Sequence, residues 1–138
     1  ATLFEKDGLW WMFANVRVHS AISSQDECFL YFSEQLTGPW QPHPMNPVVS
    51  DCRRARPAGA VLDIDGRFIR PTQDSTFRYG YGLNFVEITE LSTTSYSEVL
   101  SRHMPPQWRS GSIGMHTYAE AQNFAYVDEL YWAFRWKK

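Results

Sequence analysis

The chain has 138 residues, 16% of them aromatic, and its 13 basic and 15 acidic side chains leave a formal net charge of −2. That length fits one domain, residues 1–138, with a sizeable core, and the near-neutral balance excludes the basic surplus of a free duplex nucleic-acid binder. Cys28 and Cys52 are too few for a disulfide scaffold and lack the paired spacing of a zinc site, so reduced thiols and a cytoplasmic location are expected. No run approaches the ~20 apolar residues that cross a bilayer, and the start, Ala1-Thr2-Leu3-Phe4-Glu5-Lys6-Asp7, has no basic region followed by an apolar one. Neither membrane insertion nor a signal peptide is expected.

In chain order the elements read as strands. Leu3 to Gly8 gives a strand and a tight Asp7-Gly8 turn, and Leu9 to Val16 is apolar enough for a strand buried on both faces. Arg17 to Glu27 is polar and reads as a loop. Cys28 to Ser33 is the next strand, broken by Leu36-Thr37-Gly38-Pro39-Trp40. Three prolines between Gln41 and Pro47 mark a crossing segment, because proline removes ladder donors. Asp65-Gly66 between apolar runs is a strong hairpin signal.

Tyr79 to Ile88 alternates, with Tyr79, Tyr81, Leu83 and Phe85 on one face. Gly80 and Gly82 on the other leave room for a second backbone or a ligand. Tyr96 to Leu100 is a further strand, and Met104 to Gly111 a loop. A final hairpin pairs Asn123–Val127 with Leu130–Trp136 across Asp128-Glu129. Helical periodicity is weak throughout, so the chain is all-β. Acidic turns at Asp7, Asp65 and Asp128 recur at intervals of about 60 residues, as blades of a propeller would, although any β protein has several such hairpins.

The Asp65-Gly66 hairpin brings two dipeptides together, Arg56-Pro57 and Arg70-Pro71. Arg53, Arg54, Asp51, Gln73 and Asp74 join them in a cluster of guanidinium forks and acceptors. Such forks suit carboxylate, phosphate or sugar hydroxyls. Equally, ion-pair networks of this kind hold strand ends together without any ligand.

Tyr31-Phe32-Ser33 leading into Leu36-Thr37-Gly38-Pro39-Trp40 resembles a recurrent element of five-bladed propeller sugar enzymes of the arabinanase and invertase type. The match narrows with His43-Pro44-Met45-Asn46-Pro47-Val48-Val49-Ser50-Asp51, Arg53, Arg56-Pro57-Ala58-Gly59, Arg70-Pro71-Thr72-Gln73-Asp74 and Tyr79-Gly80-Tyr81. Together these resemble the propeller domain at the N-terminus of plant glucosamine inositolphosphorylceramide transferases and in related bacterial proteins. The resemblance is dense from about Tyr31 to Glu98 and covers about half of such a propeller. It implies a partial β-propeller of two to three blades and places His116 near the axis. It does not imply transfer chemistry, since a separate domain looks responsible for that in the transferases. Closed propellers have ~4–8 blades, and an open fan exposes apolar faces and sheet edges. Completion by homo-oligomerisation is therefore expected.

Glycoside hydrolysis requires two carboxylates about 5 to 10 Å apart across the sugar, and Asp51, Asp74 and Glu87 are the candidates. Binding without chemistry needs aromatic faces and planar polar groups. Arg53, Arg56, Arg70, Gln73, Asp74, Tyr79, Tyr81 and His116 supply these. The expected function is thus non-catalytic binding of a carbohydrate or anionic, phosphosugar-type ligand. One alternative is a glycosidase or glycosyltransferase relative using Asp51 or Asp74. The other is a structural protein whose arginines hold subunits together. His19, His43, His103 and His116 lack metal-ligand spacing, and no phosphate loop or dinucleotide fingerprint occurs, so neither metal nor cofactor is expected.

Overall fold

A computed structural model describes residues 1–17 and 26–132, and these form antiparallel sheets with no α-helix. His19, most of the Arg17–Glu27 loop and the Trp-rich stretch beyond Trp132 lie outside the described residues.

The first unit is a four-stranded meander of β1 (Thr2–Lys6), β2 (Leu9–Ala14), β3 (Glu27–Ser33) and β4 (Gln41–Pro42), with β5 (Val49–Ser50) paired to the start of β3. Asp7 and Gly8 both have positive φ, 53° and 75°, the two-residue turn whose twist matches the strands it joins. Central β2 points Trp11 and Phe13 into the core, and its other face is half-buried. The proline-rich segment supplies only the short edge β4, where a missing N–H costs no ladder bond.

The second unit repeats the plan with β6 (Leu62–Ile64), β7 (Arg67–Asp74), β8 (Gly82–Leu91) and β9 (Tyr96–Met104). Its opening turn, Asp65-Gly66, again has two positive φ values, 53° and 78°. Pro71 lies inside β7, but β6 pairs only as far as Ile69, so the proline falls beyond the reach of that neighbour. β8 begins at Gly82, later than the alternation suggests. Gly80, at φ 66°, instead forms a turn whose carbonyl accepts the Met115 N–H at 3.0 Å.

The third unit departs from the sequence expectation. Strands β11 (Tyr118–Ala121) and β12 (Phe124–Val127) form a hairpin around Gln122, while β13 (Leu130–Tyr131) pairs with β10 (Ser112–Gly114). The predicted hairpin across Asp128-Glu129 does not form. Asp128 turns its carboxylate onto the backbone N–H groups of His116 and Thr117 instead, at 2.9 and 2.6 Å, which diverts the chain from a tight reversal.

Two four-stranded blades and a smaller third unit, none closed into a barrel, make a partial propeller. The main core joins the first two blades: Phe4, Trp11, Phe13, Cys28 and Leu30 pack with Ala55, Phe68 and Tyr96. A smaller cluster of Ala58, Leu83 and Met115 with Phe85 and Tyr118 joins the second blade to the third unit.

Candidate functional site

The segment after β5 is shaped by Asp51. Its carbonyl accepts the N–H groups of Arg54 and Ala55, and its carboxylate accepts that of Arg53. This tight turn buries Ala55 and sends the chain past the end of β7. There Ala58 donates to the Pro71 carbonyl at 2.9 Å, Gln73 donates to the Arg56 carbonyl at 2.8 Å, and Pro57 bridges to Thr72. The two Arg-Pro dipeptides do meet, and the sequence expectation for their proximity holds.

The arginines then part company. Arg70 is fully buried between the first two blades, with its guanidinium 4.8 Å from the Phe13 ring centroid. It donates through Nε and Nη2 to the Glu98 carboxylate, and through Nη2 to the Arg54 carbonyl at 3.0 Å. The Tyr96 hydroxyl donates to the same carboxylate. Burial works against the charge on Arg70, but the surrounding oxygens outweigh it and hold the group above the ordinary arginine range. Tyr96 is itself pushed well up by burial and stays neutral, so Glu98 supplies the countercharge. Arg53 faces solvent and grips Asp51 through Nε and Nη2, both at 2.9 Å. That hydrogen bond, set against partial burial, holds the Asp51 carboxyl below its usual range.

Arg56 goes elsewhere. It lines a cavity of ≈ 610 Å3 together with Asn15, Gln73, His116 and Thr117, between the starts of β1 and β11. Its guanidinium lies 5.0 Å from the Tyr79 ring centroid, and Tyr79 meets the His116 ring edge-on at 5.4 Å. Gln73 is 4% exposed, and its Oε1 has no hydrogen-bond partner. Asn15 is already committed, donating to the carbonyls of Glu27 and Ala55. Asp128 holds His116 through Nδ1.

The structure thus gathers Arg56, Gln73 and His116 around one cavity, while Tyr79 touches Arg56 and His116 from outside that lining and borders a separate, smaller pocket. Tyr81 packs edge-on against Phe77 in the neighbouring turn. Asp74 is buried at the end of β7, where it accepts from the N–H and hydroxyl of Thr76. Glu87 pairs across β8 with Ile69 and Val99, within the second blade. No Asp or Glu is among the residues lining the cavity. Buried His43 accepts the Met45 N–H and meets the Ser92 carbonyl, a structural role. No group of three or more His, Cys, Asp or Glu able to hold a metal occurs among the described residues. Sequence reasoning passed over Asn15, Thr117 and Asp128. The first two carry no local motif, and Asp128 reads as a turn residue.

An all-β, partial-propeller domain with a polar cavity at the meeting of its blades is the class that fold and site define. Residues 1–122 match the family model described as glucosamine inositolphosphorylceramide transferase 1, N-terminal, and the chain belongs to that family. Two curated relatives, both named glucosamine inositolphosphorylceramide transferase 1, come from Oryza sativa subsp. japonica and subsp. indica. Each is 32% identical over 101 residues, or 72% of this chain. The chain spans 14% of the length of these relatives. No solved structure matches it.

Proposed function

We propose that this domain binds a carbohydrate or anionic, phosphosugar-type ligand in the cavity beside Arg56, and does so without catalysing its turnover. The observation that carries the reading is the cavity itself. Its volume of ≈ 610 Å3 suits a small saccharide, and its lining combines Arg56 and His116 with Gln73, whose buried Oε1 has no hydrogen-bond partner. Small-molecule sites take this form, with a few placed polar groups in a space of roughly 300–1,000 Å3. Tyr79 backs Arg56 from outside the lining, its ring under the guanidinium. Hydrolysis would need two carboxylates flanking the ligand, whereas Asp51 and Asp74 are tied to Arg53 and Thr76 and lie outside the lining. The relatives' name carries a sugar and a phosphorylated inositol, in keeping with a ligand of this class.

Saccharide and sugar-phosphate panels screened by ligand-observed NMR test the proposal. Binding is expected for the native chain and a loss of about tenfold or more for Arg56→Ala, since hydrogen bonds from charged donors are worth roughly 1.5–3 kcal/mol. Undiminished binding by Arg56→Ala, with thermal unfolding unchanged, would place the ligand elsewhere.

A further inference from the structure

The cavity's charge is of one sign. Arg56 and His116 are the ionisable side chains that line it. Arg56 has no carboxylate within hydrogen-bonding or ion-pair distance among the described residues, and its guanidinium lies over the face of Tyr79. The other arginines of the cluster differ: Arg53, Arg54 and Arg70 all meet Asp51 or Glu98. One guanidinium has been left unneutralised at the edge of a cavity, while its neighbours a few residues away are paired.

His116 is held for a purpose beyond filling space. Asp128 accepts the N–H groups of His116 and Thr117 through Oδ1, and its Oδ2 meets Nδ1 of the His116 ring. Gly80, at φ 66°, makes the turn beside this seat, where a Cβ would come into van der Waals contact with the His116 Cβ at 3.4 Å. With Nδ1 committed to a carboxylate, Nε2 is the ring nitrogen that remains for a ligand. Nε2 can share a proton with a phosphate in either direction, the ring donating to a dianion or accepting from a monoanion.

On top of the proposed sugar site, on which it rests, we infer that the cavity selects a phosphate monoester of the sugar. Its phosphate sits between Arg56 and His116, with Asp128 as the positioning residue for the imidazole. A phosphate offers three acceptor oxygens to a guanidinium fork and an imidazole N–H. The Gln73 Oε1, buried and without a partner, is the acceptor left for a sugar hydroxyl, a donor that a phosphate dianion lacks. A neutral sugar leaves Arg56 unanswered.

The test compares glucose 1-phosphate, glucose and inorganic phosphate by calorimetry and by 15N shifts of the His116 ring, in the native chain and in Arg56→Ala, His116→Gln and Asp128→Asn. Glucose 1-phosphate is expected to bind at least tenfold tighter than glucose. Arg56→Ala and His116→Gln should bring the two towards parity. Asp128→Asn should weaken phosphate-dependent binding several-fold and shift the ring resonances, while Asp128→Glu restores part of the affinity. A merely structural Asp128 would lower the affinities for glucose and its phosphate alike.

Glucose and its phosphate binding equally would overturn the inference and leave the sugar site standing. Inorganic phosphate binding in an Arg56-dependent way with no contribution from the sugar would support the phosphate seat and overturn the sugar reading. If none of the three binds, both fail.

Discussion

Arginine at four positions of one cluster takes three different roles, and burial decides which. Arg70 is fully buried, so its charge is tolerable only because Glu98 and the Arg54 carbonyl answer it. Removing one partner of a buried pair typically costs about 3–5 kcal/mol, because the other charge is left unanswered. Arg70→Met is expected to lose stability in that range in urea unfolding. The double variant Arg70→Met/Glu98→Gln should recover part of the loss. A loss below about 1 kcal/mol for Arg70→Met would mean that Glu98 finds another partner or takes up a proton cheaply. Exposed Arg53 is a different case: its bidentate grip on Asp51 is screened by solvent and shapes a turn more than it stabilises the fold. Cys28, beneath the same cluster, is pushed up to about 11, chiefly by burial, and remains a protonated apolar filler. Cys52 stands apart as a second free thiol.

At the scale of strands and turns, the glycines mark where backbones meet. A Cβ on Gly59 would lie 2.0 Å from the Tyr118 carbonyl oxygen, an atom of backbone that cannot swing aside. The Tyr118 N–H also donates to the Ala58 carbonyl at 2.8 Å, so this contact ties the cavity wall to the third unit. Gly59→Ala is therefore expected to cost about 1–3 kcal/mol, the usual range for overpacking, and to loosen β11. Gly8→Ala meets open space at φ 75° and should cost about 1 kcal/mol through backbone strain alone. Equal losses for both in denaturant unfolding would count against the close approach.

Much of this was legible in the chain. Two Asp-Gly turns and alternating apolar runs announce the two blades, because the left-handed φ values of such turns are a local property. The meeting of the Arg-Pro dipeptides follows from the hairpin between them. What is not local was not legible. Which arginine would be buried depends on Glu98, twenty-eight residues from Arg70 along the chain. The fate of Asp128 depends on two amides of a distant loop rather than on its own neighbours.

For the molecule as a whole, the third unit leaves apolar surface uncovered. Phe124 and Tyr126, two apart on β12, are 65% and 55% exposed, with ring centroids 6.5 Å apart, and Leu130, Tyr131 and Trp132 follow them to the surface. Scattered single hydrophobics are ordinary on a protein surface, but two exposed aromatic rings side by side, with three more large apolar side chains exposed in and just after the next strand, suit an interaction face. We propose that this chain, taken by itself, self-associates through that face. Stable interfaces bury about 1,200–2,000 Å2 in total and draw their binding energy from central aromatic residues. Light scattering at micromolar concentration is expected to give a discrete dimer or higher ring, and Phe124→Ser with Trp132→Ser should shift it to monomer without loss of the β-sheet circular dichroism signal. A native chain that is already monomeric would remove this proposal. The Arg56 cavity would keep its own, because it lies between the starts of β1 and β11 and takes no residue from the aromatic face.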